Sequence, residues 1–220
     1  YQQIVPQEIE RINNLVNDLL TFAKPCPPSF QETNPNEIIQ NLLSMLESKI
    51  KGSNIKITTK LDANIQLQAD PNQLKQALLN LILNAVDAMP NGGSLTISTQ
   101  LSFPNVRQPS VGEISTIGRN SIGNLEHKCT RSPTNTFGPA CRTGRDDKKH
   151  YIITISDTGC GIDPKTLPHI FEPFYTKKEK GTGLGLSITK GIVENHGGIV
   201  IVESKLGEGT TFKLKFVKKD

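Results

Sequence analysis

Residues 70–89, "DPNQLKQALLNLILNAVDAM", constrain this chain more than any other stretch. Asp70 is placed to cap a helix and Pro71 to open it, because proline at the first helical position loses an N–H that has no partner anyway. Leu74, Ala77, Leu78, Leu81, Ile82 and Ala85 then recur at helical spacing and form one apolar face. Gln73, Gln76, Asn80, Asn84 and Asp87 gather on the other side, within roughly 80° of arc. Such a helix covers a sheet with one face and offers a polar stripe with the other. "PNGG" ends it.

The surroundings supply the sheet. "NIKITTKL", "NIQLQAD", "SLTISTQ", "YIITISD", "IVIVES" and "TTFKLKF" read as strands. "NPNEIIQNLLSMLESKI" starts a second helix, with Asn34 as cap, Pro35 first and Glu37 third. Helices and strands mix without a regular βαβ repeat. The expectation is an α+β fold: a two-layer α/β sandwich, helices on one face of a mixed sheet. Ahead of it, Ile9, Ile12, Val16, Leu19 and Ala23 are spaced 3, 4, 3, 4, a heptad seam suited to a coiled coil or bundle. "PCPPSF" ends that helix. The domain reading is a helical stub over 1–24, a linker over 25–33, and one domain over 34–220. The first residue is not Met, so the chain reads as a fragment.

Residues 101–150 stand apart. About half are Ser, Thr, Asn, Pro or Gly with no sustained period, which reads as a disordered insertion. They hold eight Lys/Arg against four Asp/Glu, the whole of the net +4, and the rest of the chain balances at 17 against 17. The folded part therefore gives no reason to expect a nucleic-acid partner. Four scattered cysteines, Cys26, Cys129, Cys141 and Cys160, suit reduced thiols in a cytoplasmic setting. His127, Cys129, Cys141 and His150 are poorly spaced for a metal. No run is long and apolar enough to span a membrane.

Two glycine-rich stretches carry the chemistry. A strand ending at Asp157 and followed by "TGCGI" sets a carboxylate at the lip of a pocket, able to accept from an exocyclic amine such as that of adenine. "GTGLGL" spends Gly181, Gly183 and Gly185 just before a helix, whose exposed N–H groups and dipole favour an anion. It lacks the Gly-Lys-Ser/Thr of a Walker loop, and a Rossmann reading is weak. Lys177, Lys178 and Lys180 lie upstream, able to meet phosphates or simply to be solvated. Asn84 offers a neutral oxygen of the kind that Mg²⁺ accepts.

In this order the motifs resemble the catalytic ATP-binding domain of sensor histidine kinases of two-component systems, sporulation and nitrogen-regulation kinases in flavour. "NLILNAVDAM" looks like their N box, "DTGCGI" their first glycine box, "FEPFYTKKEKG" their F box and lid, and "GTGLGL" their second glycine box. The resemblance covers about 70–100 and 151–217 and implies the Bergerat ATP-binding fold shared with type II topoisomerases, MutL and Hsp90. It implies ATP and Mg²⁺ as ligands. Asp157 would hold the adenine amine, with Gly159, Gly161 and Ile162 shaping that pocket and Thr210 near the base. Asn84 would bind Mg²⁺, and Asn80 and Lys180 would serve the phosphate end as catalytic groups beside Asp87 and Lys177. Gly181, Thr182, Gly183, Leu184, Gly185 and Leu186 would wrap the phosphates, with Phe171 and Phe174 anchoring the lid.

The resemblance also makes residues 8–24 the second helix of a dimerisation and phosphoacceptor hairpin. It implies a homodimer through that hairpin, the protein's own phosphoacceptor helix and a response-regulator receiver domain as partners, and a cytoplasmic catalytic part whose full-length protein could be membrane-anchored. Three departures stand out. His127, His150, His169 and His196 all lie off any heptad helix, so self-phosphorylation in the family manner is not expected. The 101–150 insertion is long. Asp87 stands where many such kinases carry a basic residue and MutL-like relatives carry Asp. Two other readings remain: a MutL- or gyrase-like ATP hydrolase, disfavoured because Asn80 replaces their general-base Glu and an amide cannot take the proton, and a nucleotide-dependent binding module.

Overall fold

Asn34 caps the first helix as its position suggests. Its Oδ1 accepts from Asn36 N–H at 3.0 Å, while its Nδ2 donates to Glu37 Oε1 at 3.1 Å, so Glu37 meets the cap's side chain. In this computed structural model, which describes Val16 and residues 27–62, 65–102, 149–178 and 181–218, that helix is not continuous to residue 50. It runs Pro35–Met45 (α1), breaks at Leu46, and resumes as Glu47–Gly52 (α2). The described residues belong to one unit, residues 1–103 with 148–220. Residues 103–148 lie outside the described residues. The stub over 1–24 also lies outside them, Val16 excepted, and so does Lys180.

Strands β1 (Gln31–Thr33), β2 (Ile55–Leu61) and β3 (Leu67–Ala69) follow in chain order around these helices. β1 falls in what reads as linker and pairs antiparallel with β3, away from the main sheet. The strand expected over 64–70 is thus shorter and serves a separate ribbon. Helix α3 (Pro71–Asp87) comes next, then β4 (Gly93–Ser102), β5 (His150–Asp157), a 3₁₀ turn at Leu167–His169, α4 (Gly185–Asn195), β6 (Ile199–Lys205) and β7 (Gly209–Val217). The main sheet is ordered β2-β4-β5-β7-β6. β2 and β4 are parallel and the other pairs antiparallel, a mixed sheet as expected.

Register explains which face is covered. Ile97, Ile155 and Phe212 lie side by side across three strands, as do Thr99, Ile153 and Leu214. All six are buried. On them packs the apolar face of α3; Leu74, Leu78, Leu81, Ile82 and Ala85 are all buried there. Ala77 turns toward α4 and joins Leu184, Ile188 and Ile192 in a smaller cluster. The intervening strand positions, such as Thr154 and Lys213, face the other way. The fold is an α+β sandwich.

The start of α3 is a junction. Asp70 Oδ1 accepts from Asn72 and Gln73 N–H, and Oδ2 from Ser29 N–H at 2.9 Å. His196, at the far end of α4, accepts Asp70 N–H on Nε2 at 2.9 Å, and Phe30 packs edge-on against its ring. Burial pushes the Asp70 carboxyl up, but the N–H groups of Ser29, Gln73 and Asn72, with His196, outweigh it and hold the group below 3.8. A depressed folded-state pKa stabilises above the unfolded value and is lost as pH falls through the folded one. Asp70→Ala is therefore expected to cost about 1–2 kcal/mol at pH 7, read by thermal melting. The gap from the parent should narrow as pH drops below 3.8.

The hairpin of β4 and β5 closes at Ser102 opposite His150, and Leu101 pairs with Tyr151. Leu101, Ser102 and His150 thus belong to strands, and the insertion begins and ends inside the limits read from composition. The rest of the 101–150 expectation, apart from Lys149, lies outside the described residues. Because the paired ends fix the strands, a short Gly/Ser turn in place of residues 104–147 is expected to leave ATP affinity within about threefold, since loop length costs little closure entropy. Calorimetric titration of both chains checks this.

Candidate nucleotide site

One cavity of about 770 Å³ opens between α3, the end of β5 and the segment leading into α4. Asp157 marks one end of it. It is the last residue of β5 and is 6% exposed. Its Oδ1 accepts from Gly159 N–H at 2.8 Å and from Thr210 N–H at 3.2 Å, which leaves Oδ2 to meet a ligand. Burial raises this carboxyl above the ordinary aspartate range, against those same N–H groups, which favour the charged form. A desolvated acceptor held by two backbone donors is fixed in place.

Behind it lies a junction that sequence reading missed. Ser204 Oγ accepts from Ile162 N–H at 2.8 Å, donates to Gly209 O at 3.0 Å and sits 2.9 Å from Thr210 Oγ1. It ties the first glycine loop to β7 beside Asp157. Gly161 closes the same corner with φ +67°, and a Cβ there would meet Lys205 O at 2.1 Å. No alternation or motif marks Ser204; only the β6–β7 pairing brings it there.

The other end of the cavity is polar. Asn80, Asn84 and Asp87 of α3 line it, with Gly181, Thr182, Gly183, Gly185 and Leu186 opposite. Asn80 Nδ2 donates to Gly185 O at 3.1 Å, clasping α3 to the first turn of α4, and Thr189 Oγ1 donates to the same carbonyl at 2.8 Å. The N-cap residue of α4, Leu184, makes no side-chain cap, and the first residues of the helix, Gly185 and Leu186, border the cavity. Its N–H groups are thus of the kind that bind anions. Gly183 answers why glycine is needed in this loop. Its φ is +70°, and a Cβ would lie 2.4 Å from the carbonyl carbon of Phe174.

Asp157, Gly161, Ile162, Lys177 and Thr210 also line the cavity, as their motifs suggest. Three expected residues do not. Gly159 packs under the end of α3, where a Cβ would meet Ala88 O at 2.6 Å. Leu184 is buried between α3 and α4. Phe174, with φ +66°, is 60% exposed, and its backbone lies close against Gly183. Phe171 is half-buried against the core, with Lys190 over its ring. Lys178, read from sequence with Lys177 and Lys180 as able to meet phosphates or to be solvated, instead meets α3: its Nζ donates to Asn84 Oδ1 at 2.9 Å and to Asp87 Oδ2 at 3.0 Å. Lys177 donates instead to Thr166 Oγ1.

Two hard oxygens converging on one cationic atom fit a small divalent ion, which takes a carboxylate, an amide oxygen and phosphates together. Among the described residues no helix is long and apolar enough to cross a membrane.

Residues 113–220 match the family described as histidine kinase-, DNA gyrase B-, and HSP90-like ATPase; α3 lies outside that match. The chain is 34% identical to sporulation kinase A of Bacillus subtilis over 221 residues, all of this chain and 29% of that protein. It is 30% identical to the sensor histidine kinase ZraS of Salmonella typhi over 213 residues, 96% of this chain and 36% of that one. The chain thus spans about a third of the length of such relatives. Among solved structures, the nucleotide-free catalytic domain of the histidine kinase ThkA superposes with a TM-score of 0.60 at 25% identity, covering 87% of this chain and 99% of that one. Full-length ShkA in complex with AMPPNP gives 0.67 at 21%, over 97% of this chain and 37% of that one, a likeness of fold. The chain thus resembles the histidine kinase-, DNA gyrase B- and HSP90-like ATPases over residues 113–220, and the curated relatives it matches are named as sporulation and sensor histidine kinases.

Proposed function

We propose that this chain is the ATP-binding catalytic part of a two-component histidine kinase. It would bind Mg·ATP and pass the γ-phosphoryl to a histidine on a dimerisation helix, for onward transfer to a response-regulator aspartate. One observation carries the reading: a single cavity has a fixed acceptor, Asp157, at one end and two converging oxygens facing a glycine loop and an uncapped helix start at the other. That polarity matches a nucleotide, base at one end and phosphates at the other.

In this reading Asp157 Oδ2 accepts the exocyclic amine of adenine, and Ser204 and Thr210 hold the corner behind it. The N–H groups at the start of α4 receive phosphate oxygens. Asn84 and Asp87 hold Mg²⁺, which when bound neutralises the phosphates and aligns them for in-line attack. Asn80 holds Gly185 in place, which makes it a positioning residue, and Lys177 and Lys180 add positive charge nearby. The chain supplies position and charge; the nucleophile comes from elsewhere.

The resemblance to complete sensor kinases supports a homodimer through the helical hairpin and a cytoplasmic setting. A structure of ThkA with the response regulator TrrA, at TM-score 0.66 and 23% identity over all of this chain and 51% of that one, bears on the partner by analogy. The test is transfer. The chain, mixed with a hairpin carrying the family's histidine and γ-³²P-ATP, is expected to label that histidine. Absence of label, with ATP bound, overturns the kinase reading.

A further inference from the structure

Lys178 occupies the point at which the divalent metal is proposed to bind, an inference that rests on the Mg·ATP reading above. One nitrogen lies within 3.0 Å of both Asn84 Oδ1 and Asp87 Oδ2. A positive charge at that point gains from both oxygens at once. Mg²⁺ takes its oxygens at roughly 2.0–2.1 Å, so the metal and the ammonium exclude each other.

Asp87 is served on its other side as well. Lys49 Nζ stands 3.6 Å from its Oδ1. The carboxylate therefore keeps a cationic neighbour on that side when Lys178 leaves. While Lys178 stays, no bare carboxylate faces incoming phosphates, a like-charge approach that would oppose binding.

The backbone of Lys178 is tied to the glycine loop. Its N–H donates to Thr176 Oγ1 at 3.0 Å, and its carbonyl accepts from Gly181 N–H at 3.2 Å. A Cβ added to Gly181 would lie 3.2 Å from Lys178 Cβ.

We infer that Lys178 is a resident counter-cation, exchanged for the divalent metal on the Asn84 and Asp87 oxygens.

Lys178→Met keeps most of the aliphatic stem and removes the charge at a half-exposed position. The first measurement uses Mn²⁺ alone, with no nucleotide, read by loss of the free ion's paramagnetic resonance signal. Exchange predicts that Lys178→Met binds Mn²⁺ roughly fivefold more tightly than the parent, the scale of one or two half-exposed ion pairs. Lys178→Arg should stay near the parent, and adding Asp87→Asn to Lys178→Met should remove the gain. The second measurement is the Mg²⁺ concentration that half-saturates ATP binding, which should fall in Lys178→Met. Equal Mn²⁺ affinity in parent and Lys178→Met, while the parent binds Mg·ATP, overturns the exchange and leaves the nucleotide reading standing. Failure of the parent to bind ATP with Mg²⁺ in excess overturns that reading and this inference with it.

Discussion

Asp157→Asn is expected to weaken ATP binding by roughly 1–3 kcal/mol, the penalty for leaving a buried polar group without its partner, while keeping the unliganded fold at least as stable. Both halves come from the same geometry. The amide oxygen of Asn can still accept from Gly159 and Thr210 N–H, which already hold Oδ1. The second position becomes an NH₂ facing the adenine amine, a donor against a donor. Stability moves the other way. Burial raises the Asp157 carboxyl above its ordinary value, so its contribution is fully present at low pH and is lost as pH rises through the folded value. Asn carries no charge and escapes that loss. Calorimetry with ATP and GTP, beside thermal melts without nucleotide, separates the two effects. If the parent bound GTP as well as ATP, the assignment of Asp157 to the base would fail.

What could be read from sequence followed from how local each determinant is. Asp70 and Pro71 announce the start of α3 because a cap and a first-turn proline act within three residues. Leu74 to Ala85 announce its buried face because helical period alone brings them together. Asp157 and Gly183 are found from a strand end and a glycine cluster. The rest depends on partners far along the chain. β1 is three residues long, too short to show alternation, and exists only because β3 pairs with it. The parallel pairing of β2 with β4 leaves no mark in either strand. In sequence Lys178 is one of three lysines able to meet phosphates or to be solvated, and only α3, some ninety residues earlier, gives it the partners Asn84 and Asp87. The close approach of Gly183 to the Phe174 backbone is likewise invisible in the motif, which shows only an aromatic residue.

With a phosphoacceptor hairpin supplied, Asn84→Ala is expected to abolish labelling of the added histidine, and Asn80→Glu to raise ATP hydrolysis by the chain alone. The first follows from the donor set. Asn84 Oδ1 and Asp87 Oδ2 converge on one point, and removing the amide leaves a single protein oxygen for a metal that must also align the phosphates. The second concerns water. MutL- and gyrase-like hydrolases place Glu where this chain has Asn80, and an amide cannot take a proton from water at neutral pH. The unmodified chain should therefore hydrolyse ATP near background. Asn80 also clasps Gly185 O, so Glu there loses one bond, but Thr189 Oγ1 still donates to that carbonyl and keeps it satisfied. The loop should survive, and a carboxylate then stands at the phosphate end of the cavity. Hydrolysis is followed by phosphate release and transfer by ³²P on the added hairpin. Brisk hydrolysis by the unmodified chain with no labelled histidine would overturn the kinase assignment in favour of a MutL-like hydrolase, because turnover without an acceptor means that water is already activated by some other group.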